Sequence, residues 1–73
     1  MPRLPIVSGK EIITALAHLG YRPVRQRGSH IRLMCSGKRS ITVPDHQVGR
    51  GLLRKILRDA ELTPEEFIKL LEK

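Results

Sequence analysis

Aromatic side chains are almost missing from this chain of 73 residues, which has no Trp, one Tyr and one Phe. With only Tyr21 and Phe67, stacking of nucleobases on aromatic platforms is excluded as a main binding mode. Cysteine is just as scarce: the single Cys35 rules out an internal disulfide. Together with the lack of a signal-peptide pattern, that points to a reducing cytosol. No apolar run approaches the ~20 residues that span a bilayer, so no membrane partner is expected. The short length is a further constraint. Residues 1–73 are read as one small domain, near the size at which a core is only just sufficient. A thin layer of helices over a sheet fits that size. An enclosed cavity for a large cofactor does not, and no cofactor is expected.

Acidic residues are missing from the middle of the chain. Between Arg22 and Arg58 there are ten Lys or Arg and a single acid, Asp45. The C-terminal stretch "ELTPEEFIKLLEK" is acid-rich, so the net charge of +7 belongs to the body of the domain. A concentrated positive field attracts polyanions, of which nucleic acid is the usual one.

Along the chain, "MPRLPIV" reads as a short arm. Ser8 and Glu11 have the capping-box spacing, and Ile12, Leu16 and Leu19 form an apolar stripe that ends at Gly20. Three short strands follow. The first is Tyr21 to Gln26, with Pro23 marking an edge or a start. Arg27-Gly28 turns the chain into the second, Ser29 to Cys35. Its alternation sends Ile31, Leu33 and Cys35 one way and His30, Arg32 and Met34 the other. The third is Arg39 to Val43, with Ile41 and Val43 inward. "DHQVGRG" reads as a loop. A helix over Gly51 to Ala60 has Leu53, Ile56, Leu57 and Ala60 on its apolar face and Arg54, Lys55 and Arg58 on its wet face. Thr63, Pro64 and Glu66 then cap a last short helix. The fold class is α+β: an αβββα sandwich like the double-stranded-RNA-binding domain, with an additional short C-terminal helix. The open sheet face carries His30, Arg32, Ser40 and Thr42.

Residue chemistry leaves His30 open between a solvated strand histidine and a working group. A His has an unperturbed pKa near working pH, which suits proton transfer. Arg25, Arg27 and Arg32 lie close to it in sequence, and guanidiniums hold phosphate in a fork. Gly28 and Ser29 offer backbone N–H groups in a turn. Lys38, Arg54, Lys55 and Arg58 are further candidate phosphate contacts. A second titrating group could come from His46 or Lys38, although His46 reads equally well as a loop histidine. His30, Cys35 and His46 lack metal-ligand spacing, so no metal is expected.

Four pieces carry a family resemblance: "GSH" at 28–30, "ITVPDH" at 41–46, "GLLRKILRDAEL" at 51–62 and "TPEEF" at 63–67. In this order and size the chain resembles the HicA toxins of HicA–HicB toxin–antitoxin pairs. The resemblance implies metal-independent cleavage of mRNA and neutralisation by a HicB-type antitoxin that covers the active surface. It also implies that His30, the histidine after Gly-Ser, is the functional one, and that Gly28 is the turn glycine before it. The chain departs from the family at Gly51-Leu52-Leu53, where many members read Gly-Thr-Leu, and it lacks an aromatic often found in the second strand. The expected function is an endoribonuclease toxin with His30 as acid/base. A non-catalytic basic RNA-binding module is the alternative, and an adaptor for an acidic protein a third reading.

Overall fold

The computed structural model describes residues 4–73; the first three residues of the expected arm, Met1 to Arg3, lie outside the described residues. Helix α1 (Gly9–Ala17) starts where the Ser8–Glu11 spacing predicts. The Ser8 hydroxyl accepts from the Glu11 N–H at 3.2 Å, and the Glu11 carboxylate accepts from the Ser8 N–H at 3.0 Å. Two donors that a helix start leaves unpaired are thereby satisfied. Helix α3 (Pro64–Leu71) repeats the device with Thr63 and Glu66. Helix α2 (Arg50–Ala60) has only Gly49 at its start, with no side-chain cap.

Three antiparallel strands form the main sheet in the order β2 (Arg22–Arg27), β3 (His30–Met34), β4 (Ile41–Pro44). The helices cover one of its faces. Leu33, Ile41 and Val43 point into that layer and meet Ile12, Leu16, Leu53, Ile56, Leu57 and Phe67, all nearly free of solvent contact. Burying side chains of this size contributes about 1.5–3 kcal/mol each, which is the main source of stability in so short a chain. Tyr21 was expected to open the first strand. It instead lies just before β2 as a core residue, 2% exposed, and its hydroxyl donates to the Arg39 carbonyl at 3.0 Å. Burial, helped by the nearby Cys35, Glu61 and Asp59, pushes its pKa up from the ordinary tyrosine value.

A small second sheet was not expected. Strands β1 (Val7–Ser8) and β5 (Gln47–Val48) pair antiparallel, so part of the arm and part of the "DHQVGRG" loop become structure. The pairing buries Val7 and Val48 at the edge of the core. It also brings the start of α1 against the end of β4. The Gly9 N–H donates to the His46 carbonyl at 2.8 Å. A β-carbon at Gly9 would overlap the Pro44 carbonyl oxygen, so only glycine lets the two backbones approach this closely.

Candidate nucleic-acid interface

Arg27 and His30 face each other across a two-residue turn, Gly28-Ser29. Gly28 has φ +59 whereas Ser29 is not among the positive-φ residues, the pattern of a type II′ hairpin turn. Two contacts brace it: the Gln26 amide donates to the Gly28 carbonyl at 3.1 Å, and the Asp45 N–H donates to the Ser29 carbonyl. His30 is therefore held from the hairpin on one side and from the end of β4 on the other.

Register decides which side chains join it. Directly paired residues share a face, so Arg27, His30 and Pro44 form one row and Arg25, Arg32 and Thr42 the next. Arg22 pairs with Met34, a third row on the same outer face. Simple alternation would not put Arg22 on one side with Arg25 and Arg27. The pairing slips between Pro23 and Arg25, leaving Val24 as the extra residue of a bulge. That extra residue re-phases the strand and turns Arg22, Arg25 and Arg27 the same way.

The result is an open, shallow cleft lined by Arg25, Arg27, His30, Arg32 and Thr42. Every one of these side chains is solvent-exposed. Among the described residues, the cleft contains no acid, and none of its arginines has a carboxylate within ion-pair distance. Three guanidiniums around one imidazole give a site that can grip a phosphate diester and exchange a proton beside it.

The other sequence candidates are dispersed. Lys38 lies in the β3–β4 turn, at the opposite end of the strands from His30. His46 does not line the cleft, and its Nδ1 lies 2.9 Å from the Gln47 carbonyl. Arg54, Lys55 and Arg58 are exposed on α2, with the helix layer and the core between them and His30. Lys55 and Arg39 both approach Asp59, at 3.7 and 3.9 Å. Two residues gain a place that spacing alone did not suggest: Thr42, read only as an open-face residue, and Arg22, which the bulge brings round. No group of three or more His, Cys, Asp or Glu that could hold a metal ion lies among the described residues. No helix among them is long and apolar enough to cross a membrane.

A family model described as the HicA toxin of bacterial toxin–antitoxin systems matches residues 9–62, from the first residue of α1 to just past α2. The chain belongs to the HicA toxin family. Among curated proteins, none matches it. As a HicA-family chain it is the toxin component of a toxin–antitoxin system, of ribonuclease type, and its partner is a HicB antitoxin. The matched span contains the whole β2–β3 hairpin, β4 and β5. It also contains the Leu52 position where the chain departs from the common Gly-Thr-Leu. There Leu52 is 42% exposed and α2 starts without a side-chain cap.

Proposed function

We propose that this HicA-family chain is a metal-independent endoribonuclease that cleaves mRNA, with His30 as its essential acid/base group. The observation that carries the reading is the placing of His30 with Arg25, Arg27 and Arg32 in a cleft whose lining contains no acid. RNA supplies its own nucleophile, the 2′-hydroxyl. Attack on the adjacent phosphorus forms a 2′,3′-cyclic phosphate and expels the 5′-oxygen. One proton must leave the 2′-oxygen and one must reach the 5′-oxygen. His30 carries one of them, a role that typically contributes 10²–10⁴-fold. Among the described residues the cleft offers no second imidazole or amine, so water makes the other transfer, giving a proton to the 5′-oxygen when His30 takes the one from the 2′-oxygen, or the reverse. Arg25, Arg27 and Arg32 neutralise the phosphorane, the work a metal would otherwise do, and their permanent charge makes that independent of pH.

Gly28 and Ser29 contribute the close backbone turn that lets a phosphate approach. Lys38, Arg54, Lys55 and Arg58 extend the positive field to other sides of the domain and help gather RNA. The antitoxin blocks the enzyme by laying an acidic surface over the same arginines.

The test compares wild type with His30→Ala on a short RNA, in excess chelator. Wild type should cut and the variant should not, while both bind the RNA comparably. A variant that cuts at near the wild-type rate sinks the catalytic role. Wild type that binds RNA and never cuts it favours a binding module. Cleavage abolished by chelator removes the claim of metal independence.

A further inference from the structure

The outer face of the sheet continues past the arginines. Beyond the Arg25–Arg32–Thr42 row it changes character, because Val24 and Met34 are 51% and 50% exposed. Both line an open groove with Arg22, Gly20, Gly37 and Lys38, and its surface is mainly apolar. Val24 and Met34 meet in one groove and so give the basic face a small apolar contact surface that a ligand can use. Neither Arg22 nor Lys38 has a carboxylate within ion-pair distance among the described residues, although Lys38 lies near enough to Glu66 to help hold its carboxyl low.

We infer that this groove is a base-binding subsite, in which Val24 and Met34 receive the apolar face of an unpaired RNA base while Arg22 and Lys38 hold the neighbouring phosphates. The inference rests on the RNA reading above and names how the substrate continues beyond the reacting phosphate. Two features select RNA as the occupant. The first is charge: the groove residues Val24 and Met34 neighbour Arg25 and Arg32 of the acid-free cleft along β2 and β3, and a polyanion can follow both. The second is length. His30 and Met34 are four residues apart on one strand, or roughly 13 Å at ~3.3 Å per residue. That span is a few nucleotides of extended chain, so one strand can lie across His30 and still seat a base on Met34. A duplex would keep its base faces stacked inside and could not use the groove, so the subsite selects single-stranded RNA. Arg22 pairs with Met34, so the cation that would hold a phosphate and the apolar side chain that would receive the base share one row of the sheet.

The experiment measures fluorescence anisotropy of labelled 2′-O-methyl oligonucleotides, which lack the attacking hydroxyl and stay intact. Each sequence is made with all its bases and with abasic positions stepped along the strand. Wild type is compared with the double variant Val24→Thr and Met34→Gln, whose exposed positions tolerate polar residues of similar size. Wild type should bind the full oligonucleotide more tightly than one made abasic a few positions from the phosphate held at His30. The variant should bind the full oligonucleotide roughly fivefold more weakly, the expected effect of losing modest apolar contact, with an unchanged salt slope, and should ignore the abasic change. Salt-dependent binding with no preference for bases overturns the subsite alone. Failure of wild type to bind any oligonucleotide overturns both the subsite and the RNA reading. Unchanged RNA binding by the variant with weakened binding of purified antitoxin assigns the groove to the antitoxin instead.

Discussion

Replacing Gly9 by Ala adds one methyl group, yet it should be among the most damaging small substitutions in this chain. The new β-carbon overlaps the Pro44 carbonyl oxygen, lies 3.0 Å from the carbonyl carbon, and lies 3.3 Å from Val43 Cγ1. The first two are backbone atoms of a paired strand, and neither can rotate aside. Relief requires α1 and β4 to separate, which also stretches the 2.8 Å bond from the Gly9 N–H to His46. Overpacking of this kind costs about 1–3 kcal/mol, and a lost backbone bond adds about 0.5–1.5. Against that stands the entropic gain of Gly to Ala, about 0.5–1. The net loss is therefore about 0.5–4 kcal/mol, centred on ~2, a large share of the 5–15 typical of a domain. In a chain this small it should lower the melting temperature by roughly 10–20 °C. Gly51→Ala is the control. That glycine is helical and a β-carbon there meets nothing within 4 Å, so the same change should be neutral or stabilise by up to about 1 kcal/mol. Urea unfolding of the three proteins, followed by circular dichroism, reads both effects. Equal stability of Gly9→Ala and wild type would refute the close-packing argument. Activity should fall as well at temperatures where Gly9→Ala is still folded, because Pro44 is paired with His30 and Asp45 holds Ser29.

Removing the charge of two cleft arginines, Arg25→Gln with Arg27→Gln, should reduce the salt slope of single-stranded RNA binding by about 1.4, given ~0.7 per phosphate contact; an unchanged slope in an anisotropy titration would place RNA elsewhere. Tyr21→Phe loses the bond to Arg39 and should cost about 1 kcal/mol at neutral pH. The folded tyrosine has its pKa above the ordinary 10.0, so its contribution is intact below pH 10 and fades as pH rises through the folded value. Alkaline melts of wild type should therefore fall more steeply than those of Tyr21→Phe. The Glu66 carboxyl is held below its ordinary value of 4.5 mainly by the Thr63 N–H and then by the Thr63 hydroxyl. Its capping contribution is complete above pH 4.5 and is lost as pH falls through the folded value, so Glu66→Gln should flatten the acid limb of the stability curve.

Much of this arrangement was legible in the residues. The capping pairs Ser8–Glu11 and Thr63–Glu66 announce two helix starts because their hydrogen bonds are local. Strand β3 is legible because both of its neighbours pair in phase with its own alternation, which puts His30 and Arg32 outside. Strand β2 is different. Its residues are all exposed, so no buried face prints a pattern on it, and the bulge at Val24 breaks such alternation as there is. Arg22 was missed as a site residue for that reason. Strands β1 and β5 are two residues each and exist only through long-range pairing, which no local signal reports. The same holds for Gly9, whose need for a missing side chain comes from Pro44, far away in sequence. Read along the chain, His46 and Lys38 are each candidates for a second group beside His30, but folding leaves Lys38 in the β3–β4 turn and His46 beside Gln47, both outside the cleft.

The bulge at Val24 makes chain length part of the site. A substitution scan across β2 changes one side chain at a time and leaves the phase of the strand as it is. Deleting Val24 would change no arginine and would leave Arg22, Arg25 and Arg27 on one side by simple alternation, so the deletion removes the bulge and its apolar side chain while keeping the arginine row. Homologues one residue shorter between Pro23 and Arg25 would keep the arginine face without a bulge but would lack the exposed apolar side chain that Val24 adds beside it. For this strand, alignment gaps carry as much functional information as the letters themselves.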